Sequence, residues 1–478
     1  MTSPPGDGAS LLRLTDRRGR LTLLTTVLGS GMSFLDGTIV NVALPTIGRE
    51  LRADLAGLQW VVNGYALTLA ALILLGGSLG DRFGRRRTYS VGTAAFGAAS
   101  TLCAISPGIA TLTAARAVQG VAAALLVPGS LAILQASFVP EDRMKAIGAW
   151  TGLTGVATAS GPLVGGWLVG FSWRYAFWLN VPVAVAVVLL SRVMPESRNP
   201  HASHRLDVPG VGFAVLGLAG TTYALTAYPS RGADAVTAAA AVVGVGAMAA
   251  FVVAERRSNH PMMPPSLFTS RAFSVVNVVT LVVYAALSGA LLFLIFQLQV
   301  VAGWSPLQAG AATVPISLTM LLLAGRFGAL ATRLGPRPLM VCGTLVAALG
   351  FSWLAFLPRH PAYLQDVLPG VGLLGLGLSM LVAPLTGTVL AAAPDDLAGT
   401  ASGVNNAVSR AAGLFAVAGL PVAVGLSGTD YADPSLLAPA CRAALLSCAG
   451  LLVAGAVLTR LGLPAAVGRA RSRPGPAR

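Results

Sequence analysis

Two side chains stand charged where almost nothing around them is. Asp36 falls inside the apolar run 21–45 and Arg116 inside the run 109–134. Even on the lower scales, an Asp or Arg at the middle of a membrane helix costs about 2.5–3.5 kcal/mol, so each needs compensation. At about 1.5 Å per residue, Asp36 lies roughly 22 Å along its run and Arg116 roughly 10 Å below the opposite face, both in the outer half. They can pair directly, or through Gln119, Asn41 or water. A carboxyl balanced between burial and a neighbouring guanidinium can gain and lose a proton near neutral pH. Asp36 is therefore the leading candidate for a proton- or cation-binding site. The plainer alternatives are a buried polar group that only orients its helix and, for Arg116, a purely structural ion pair. Arg410, inside the run 400–425, is a secondary candidate.

Two further groupings bear on movement. Gly77, Asp81, Arg82, Gly84, Arg85 and Arg86 occupy the short junction GSLGDRFGRR at 77–86. The glycines permit a tight turn, and Asp81 can cap a helix or pair across a bundle, which suits a conformational latch. An ordinary basic loop is the alternative. In GLTGVATASGPLVGG at 152–166, Gly161, Pro162, Gly165 and Gly166 allow close helix packing and bending.

The elements that position these residues follow from composition. Of 478 residues 55% are hydrophobic and only 10% charged, with mean hydropathy +0.75, where a soluble domain carries about 25% charged residues. Apolar runs recur at 21–45, 58–78, 88–106, 109–134, 146–170, 174–194, 208–228, 235–254, 272–297, 308–328, 339–357, 366–392, 400–425 and 439–461. Each reads as a helix crossing a hydrocarbon core about 30 Å thick. The expected fold is an all-α polytopic membrane protein with 14 transmembrane helices. With both termini cytoplasmic, about 24 of the basic residues fall on the cytoplasmic side and about six outside, as the positive-inside rule requires. The net charge of +15 is thus topology and implies no nucleic-acid partner.

The junction at 77–86 aligns with GALATRLGPR at 328–337, and the same spacing carries Gly148 to Gly399 and Gly152 to Gly403. This internal repeat implies two six-helix bundles plus two extra central helices. The expected organisation is a cytoplasmic N-terminal tail (1–20), a first bundle (21–194), a linker with the two extra helices (195–271), a second bundle (272–461) and a basic cytoplasmic tail (462–478).

Several chemistries find no support. GVGLLG at 370–375 sits in an apolar run and opens no strand-turn-helix unit; the only lysine, Lys145, belongs to no phosphate loop, so no ATP site is expected. Cys103, Cys342, Cys441 and Cys448 lie in or beside apolar runs and read as packing residues. His201, His204, His260 and His360 lie in polar connections; His201 and His204 have no further ligand nearby, so no metal is expected. No hydrolase or zinc-protease motif is present, and no enzyme activity is expected. The first run lacks a small-residue cleavage site and is read as a retained helix.

Taken together, LDGTIVNVALP (35–45), GSLGDRFGRRR (77–87), RAVQG (116–120) and the element Gly161 to Gly166, with SWRYAFWLNVP (172–182) and GWSPLQAG (303–310), resemble the major facilitator superfamily, in its fourteen-span drug:proton antiporter branch. The resemblance implies the major facilitator fold. It also implies a coupling role for Asp36 and Arg116, a loop governing conformational change at Gly77 and Asp81 with the neighbouring arginines, and an exporter motif at Gly161 and Pro162. Thr332 stands where the first copy has Asp81, so a symmetrical latch is not implied. Trp60, Tyr65, Phe293 and Gln297 are plausible lining. The function so implied is export of small molecules (drugs, antibiotics or hydrophobic cations) by proton antiport through alternating access, with the proton gradient as energy source and no cofactor. The alternative is a narrow exporter of an endogenous metabolite, lipid or amino acid, with a non-transporting membrane sensor behind it. The preference for Arg over Lys suggests a bacterial cell membrane; oligomeric state and substrate are left open.

Overall fold

The computed structural model describes residues 11–198, 207–258, 261–394 and 397–464. His201, His204, Arg205, His260 and the basic residues from Arg469 onward lie outside the described residues. Fourteen long helical rods run through the described residues. They are α1 (Arg17–Leu51), α2 (Leu55–Phe83), α3 (Arg85–Ala104), α4 (Ile109–Ser137), α5 (Pro140–Phe171), α6 (Arg174–Ser191), α7 (Val208–Arg231) and α8 (Ala235–Arg257). After the linker come α9 (Arg271–Val301), α10 (Pro306–Leu334), α11 (Pro336–Leu354), α12 (Tyr363–Ala391), α13 (Ala398–Ala423) and α14 (Pro434–Gly462). The described residues contain no strand beyond one isolated bridge, Leu12 with Phe138.

The rods start where the sequence places caps. Asp54, Asp207, Asp234, Ser270 and Ser305 accept a backbone N–H from the first turn of α2, α7, α8, α9 and α10, satisfying donors that a helix start leaves free. Many rods exceed the apolar runs that announced them. The 35 residues of α1 make about 52 Å of helix, well over a hydrocarbon core, because intrahelical hydrogen bonding continues into polar flanks that hydropathy does not count. Twelve of the fourteen are long and apolar enough to cross a bilayer on length and composition. The other two are α3, which opens on three arginines, and α5, rich in Gly, Thr and Ser. In α3 the polar side chains are satisfied internally: Tyr89 donates to the Thr25 carbonyl, Ser100 to the Phe177 carbonyl and Ser90 to Ser191.

Packing repeats with the period of eight helices. In the first half α2 packs on α4, α3 on α4 and α6, and α1 on α5; in the second half α10 packs on α12, α11 on α12 and α14, and α9 on α13. Between the halves α2 meets α13 and α5 meets α10, a reciprocal exchange of the second and fifth helices. The extra helices α7 and α8 pack on each other, and α7 also lies against α2 and α13.

Close packing rests on missing side chains. A Cβ at Gly76 would enter the Ala124 carbonyl, and one at Gly120 would enter the Tyr65 carbonyl and the Thr68 hydroxyl. Helix association in lipid depends on such approach, since apolar burial supplies no drive there. Gly148 of α5, in contrast, faces open space. Gly76→Ala is expected to cost about 3 kcal/mol and to lower the melting temperature in detergent, while Gly148→Ala is neutral or gains up to about 1 kcal/mol. Equal melting temperatures for the two variants would contradict this packing.

Candidate functional site

The first half buries one ion pair. Arg116 Nη1 donates to Asp36 Oδ2 at 2.5 Å, and each residue is 1% exposed. Asp36 sits midway along α1 and Arg116 two turns into α4. The second carboxylate oxygen, Asp36 Oδ1, accepts from Gln119 Nε2 at 3.1 Å and from Asn180 Nδ2 at 2.8 Å. Arg116 also donates from Nη1 to Gln119 Oε1 at 2.6 Å and from Nε to the Val61 carbonyl at 3.1 Å. Its guanidinium lies 4.3 Å from the centre of the Tyr65 ring. Asn180 Nδ2 further donates to Ser100 Oγ at 3.0 Å, so five helices (α1 to α4 and α6) converge on one carboxylate. Gln119, one helical turn from Arg116, faces the same pair. Asn41 does not: it lines the central cavity instead. The sequence does not single out Asn180 and Ser100 as site residues, although Asn180 is an amide in an apolar run and lies within SWRYAFWLNVP; only the crossing of α3 and α6 with α1 gives them their partners.

Beside this network lies a cavity of about 580 Å³ between the halves, walled by α1, α2, α4, α9, α12 and α13. Phe34, Asn41, Asn63, Tyr65, Arg116, Tyr284 and Arg410 are among its lining. Of the aromatic and Gln residues expected to line it, Tyr65 does. Trp60 packs on Tyr223 of α7, and Phe293 and Gln297 are buried elsewhere in α9. Arg410 of α13 donates from Nε to Asn406 Oδ1 at 3.0 Å and lies 6.0 Å from the Phe34 ring centre.

One end of the cavity is closed. Tyr431 donates to the Ala53 carbonyl at 2.7 Å, the Leu55 N–H to the Gly428 carbonyl at 2.7 Å, and Gln59 Nε2 to the Val417 carbonyl at 2.6 Å. All three tie the halves together at the end remote from helix starts Arg17 and Arg271. On the same side α5 meets α10 through glycine. A Cβ at Gly166 would lie 2.7 Å from Leu307 Cα, and one at Gly310 would enter the Pro162 carbonyl; Gly161 and Gly165 face Thr38 and Ile39 of α1. Toward the other end Gly148, Gly152 and Gly155 of α5 and Gly325 of α10 meet nothing. The helix α5 runs unbroken through Pro162.

The junction at 77–86 is tighter than a loop. Helix α2 continues to Phe83 and α3 begins at Arg85, leaving Gly84 alone at φ 111°. Asp81 Oδ1 takes Arg85 Nε and Nη2, both at 2.8 Å, within one helical turn. It neither caps a helix nor bridges the bundle. Glu196, after α6, caps α3 through the Arg86 and Arg87 N–H groups at 3.0 and 3.2 Å and sits where a Gly84 side chain would stand. Arg82 is exposed over Phe83, and Gly77 faces Pro128 of α4. Among the described residues, the hydrogen bonds of this junction all stay in the first half. At the second-half copy Gly335 again turns with positive φ, 82°, but Thr332 only bonds its own helix.

The Major Facilitator Superfamily profile matches residues 26–417. The chain belongs to the Major Facilitator Superfamily. It is similar to the multidrug resistance protein Stp of Mycobacterium tuberculosis (36% identity, 87% of this chain and 78% of that one). The puromycin resistance protein of Streptomyces alboniger is 36% identical over 84% of this chain and 80% of its own. The cephamycin export protein of Amycolatopsis lactamdurans is 36% identical over 96% of both. Among solved structures, a bacterial homologue of the human lysosomal transporter Spinster superposes with TM-score 0.68 at 16% identity, covering 94% of this chain and 97% of that one. A peptide transporter of the POT family superposes with TM-score 0.69 at 12% identity, covering 92% and 95%. These two show a shared fold. As a member of this superfamily the chain is a multi-pass membrane transporter of small molecules, not an enzyme.

Removing one partner of a buried pair strands the other charge. Arg116→Met is expected to cost about 3–5 kcal/mol, read as a drop in thermal stability, and Asp36→Asn combined with Arg116→Met to recover most of it. Equal melting of the single and double variants would rule the pair out as a stabilising constraint. Gly166→Val is expected to hold the closed end apart, so that a cysteine at Asn63, in a Cys342→Ser background, reacts with an impermeant thiol reagent from that side at least tenfold faster.

Proposed function

We propose that this superfamily member is a fourteen-span exporter that expels small molecules, drugs or antibiotics among them, in exchange for protons. Two bundles, 21–194 and 272–461, would rock about the central cavity, joined by a linker (195–271) that carries α7 and α8. The tails 1–20 and 462–478 would face the cytoplasm of a bacterial cell. The observation that carries the coupling is the buried Asp36–Arg116 pair, its guanidinium on the wall of the substrate cavity. A proton arriving on Asp36 cancels the carboxylate charge and weakens its hold on Arg116. The freed guanidinium donors then gain from a new partner, and the helices that converge on the pair have reason to shift. Exchange requires that this new partner be a group of the protein and not the substrate, so that proton binding weakens substrate binding.

The reciprocal contacts of α2 with α13 and α5 with α10 support alternating access, because opening one end of such a pair of bundles closes the other. Clustering of arginines at the helix ends that share a side with the termini supports a cytoplasmic placement of those ends. No step calls for a cofactor, and the proton gradient is the proposed energy source. A narrower reading, export of one endogenous metabolite, is favoured by relatives named for a single compound, puromycin or cephamycin.

Everted membrane vesicles, energised to hold a proton gradient, test the coupling with a panel of cationic, anionic and neutral compounds. A transported compound is expected to release protons from vesicles bearing the wild type, and Asp36→Asn at matched expression to reduce that release at least tenfold. A variant that matches the wild type would remove Asp36 from the coupling. A response limited to one compound family would favour the narrow exporter.

A further inference from the structure

The cavity has the wrong furniture for a cation. None of the residues that line it is acidic. The one carboxylate nearby, Asp36, spends both oxygens on Arg116, Gln119 and Asn180. Of the three aromatic rings that could receive a quaternary ammonium, two are already met by guanidinium groups, Tyr65 by Arg116 and Phe34 by Arg410, which leaves Tyr284 alone.

For an anion the same wall is well supplied. Arg410 projects into the cavity with no carboxylate within ion-pair distance among the described residues, and only its Nε is hydrogen-bonded to protein. Its two terminal nitrogens remain as a planar fork, the geometry that takes a carboxylate in two parallel bonds. Asn63 of α2, on the same cavity, is 0% exposed, and neither its amide nitrogen nor its amide oxygen has a partner. A buried amide left unsatisfied costs free energy that a ligand returns once the Asn63 side chain turns toward the cavity, since its amide atoms are closed to solvent here. Asn405 and Asn406 add polar edges, and Phe34, Tyr284 and Leu287 supply apolar surface for the body of the molecule.

We propose that Arg410 determines specificity and that the cavity takes an organic anion: a carboxylate or similar planar oxyanion on an apolar, ring-bearing body, with Arg410 on the charge and Asn63 on a neighbouring polar group. This rests on the reading of the chain as an exporter and narrows its substrate class away from hydrophobic cations. Because Arg410 has no acidic partner to strand, its replacement leaves no orphaned charge, and the variants are expected to fold.

Two xanthene dyes that share a ring skeleton and carry opposite charge, fluorescein and rhodamine 123, serve as probes. Purified full-length protein in liposomes with an imposed proton gradient is assayed for transport of each, with melting temperature as a folding control. The expected result is saturable fluorescein transport that exceeds that of rhodamine 123, falls about tenfold or more in Arg410→Gln, is partly kept in Arg410→Lys, and gives way to rhodamine 123 in Arg410→Glu. Preference for rhodamine 123 by the wild type, or fluorescein transport unchanged in a folded Arg410→Gln, overturns the anion assignment while leaving transport intact. Transport of neither dye counts against the exporter reading and takes this inference with it.

Discussion

A charge cannot stand alone among packed membrane helices, and the first half of this protein is arranged around that constraint. Asp36 and Arg116 neutralise each other, but two opposite charges still need their remaining donors and acceptors satisfied. Gln119, Asn180 and the Val61 carbonyl do this, and each comes from an element that must be held in register to within a fraction of an ångström. The glycine contacts between α2 and α4 provide that register. The network is therefore a knot in which a change at one side chain bears on five helices.

The two halves share a packing plan but not a chemistry. Helix α9, the counterpart of α1, contains no carboxylate at all, so the buried pair has no second copy. At the junction of α2 with α3, an Asp–Arg pair and a Glu cap tie α2, α3 and the segment after α6 together, while at that of α10 with α11 a threonine bonds only its own turn. Repetition supplies a scaffold of two matching halves. Divergence places the titratable group in one half and the unpaired Arg410 in the other, with the cavity between them.

The interface between halves is graded along its length. Near the far end it is knit by backbone carbonyls and by glycines that let α5 and α10 touch. Toward the termini the same two helices part, and their glycines face open space. Such an interface stores little that would have to be broken all at once. It is built from few hydrogen bonds and small contacts.

Much was legible without coordinates. Apolar runs marked fourteen helical rods, twelve of which are long and apolar enough to cross a bilayer, because a helix that meets lipid is apolar over most of its span. The repeat showed in part in Gly84 and Gly335, whose positive φ favours glycine, while Gly148, Gly152 and Gly399, matched by the same spacing, face open space. Asp36, Arg116 and Gln119 stood out because charge and amide are rare in such runs. What the sequence could not carry was contact between remote helices. That Asn180 bonds Asp36 while Asn41 turns to the cavity, that Glu196 caps α3, and that Arg410 is left without an acid depend on how α1, α3, α6 and α13 cross. Residue type and spacing determine which groups need a partner; only the tertiary packing, which brings together side chains over a hundred residues apart, decides which of them finds one.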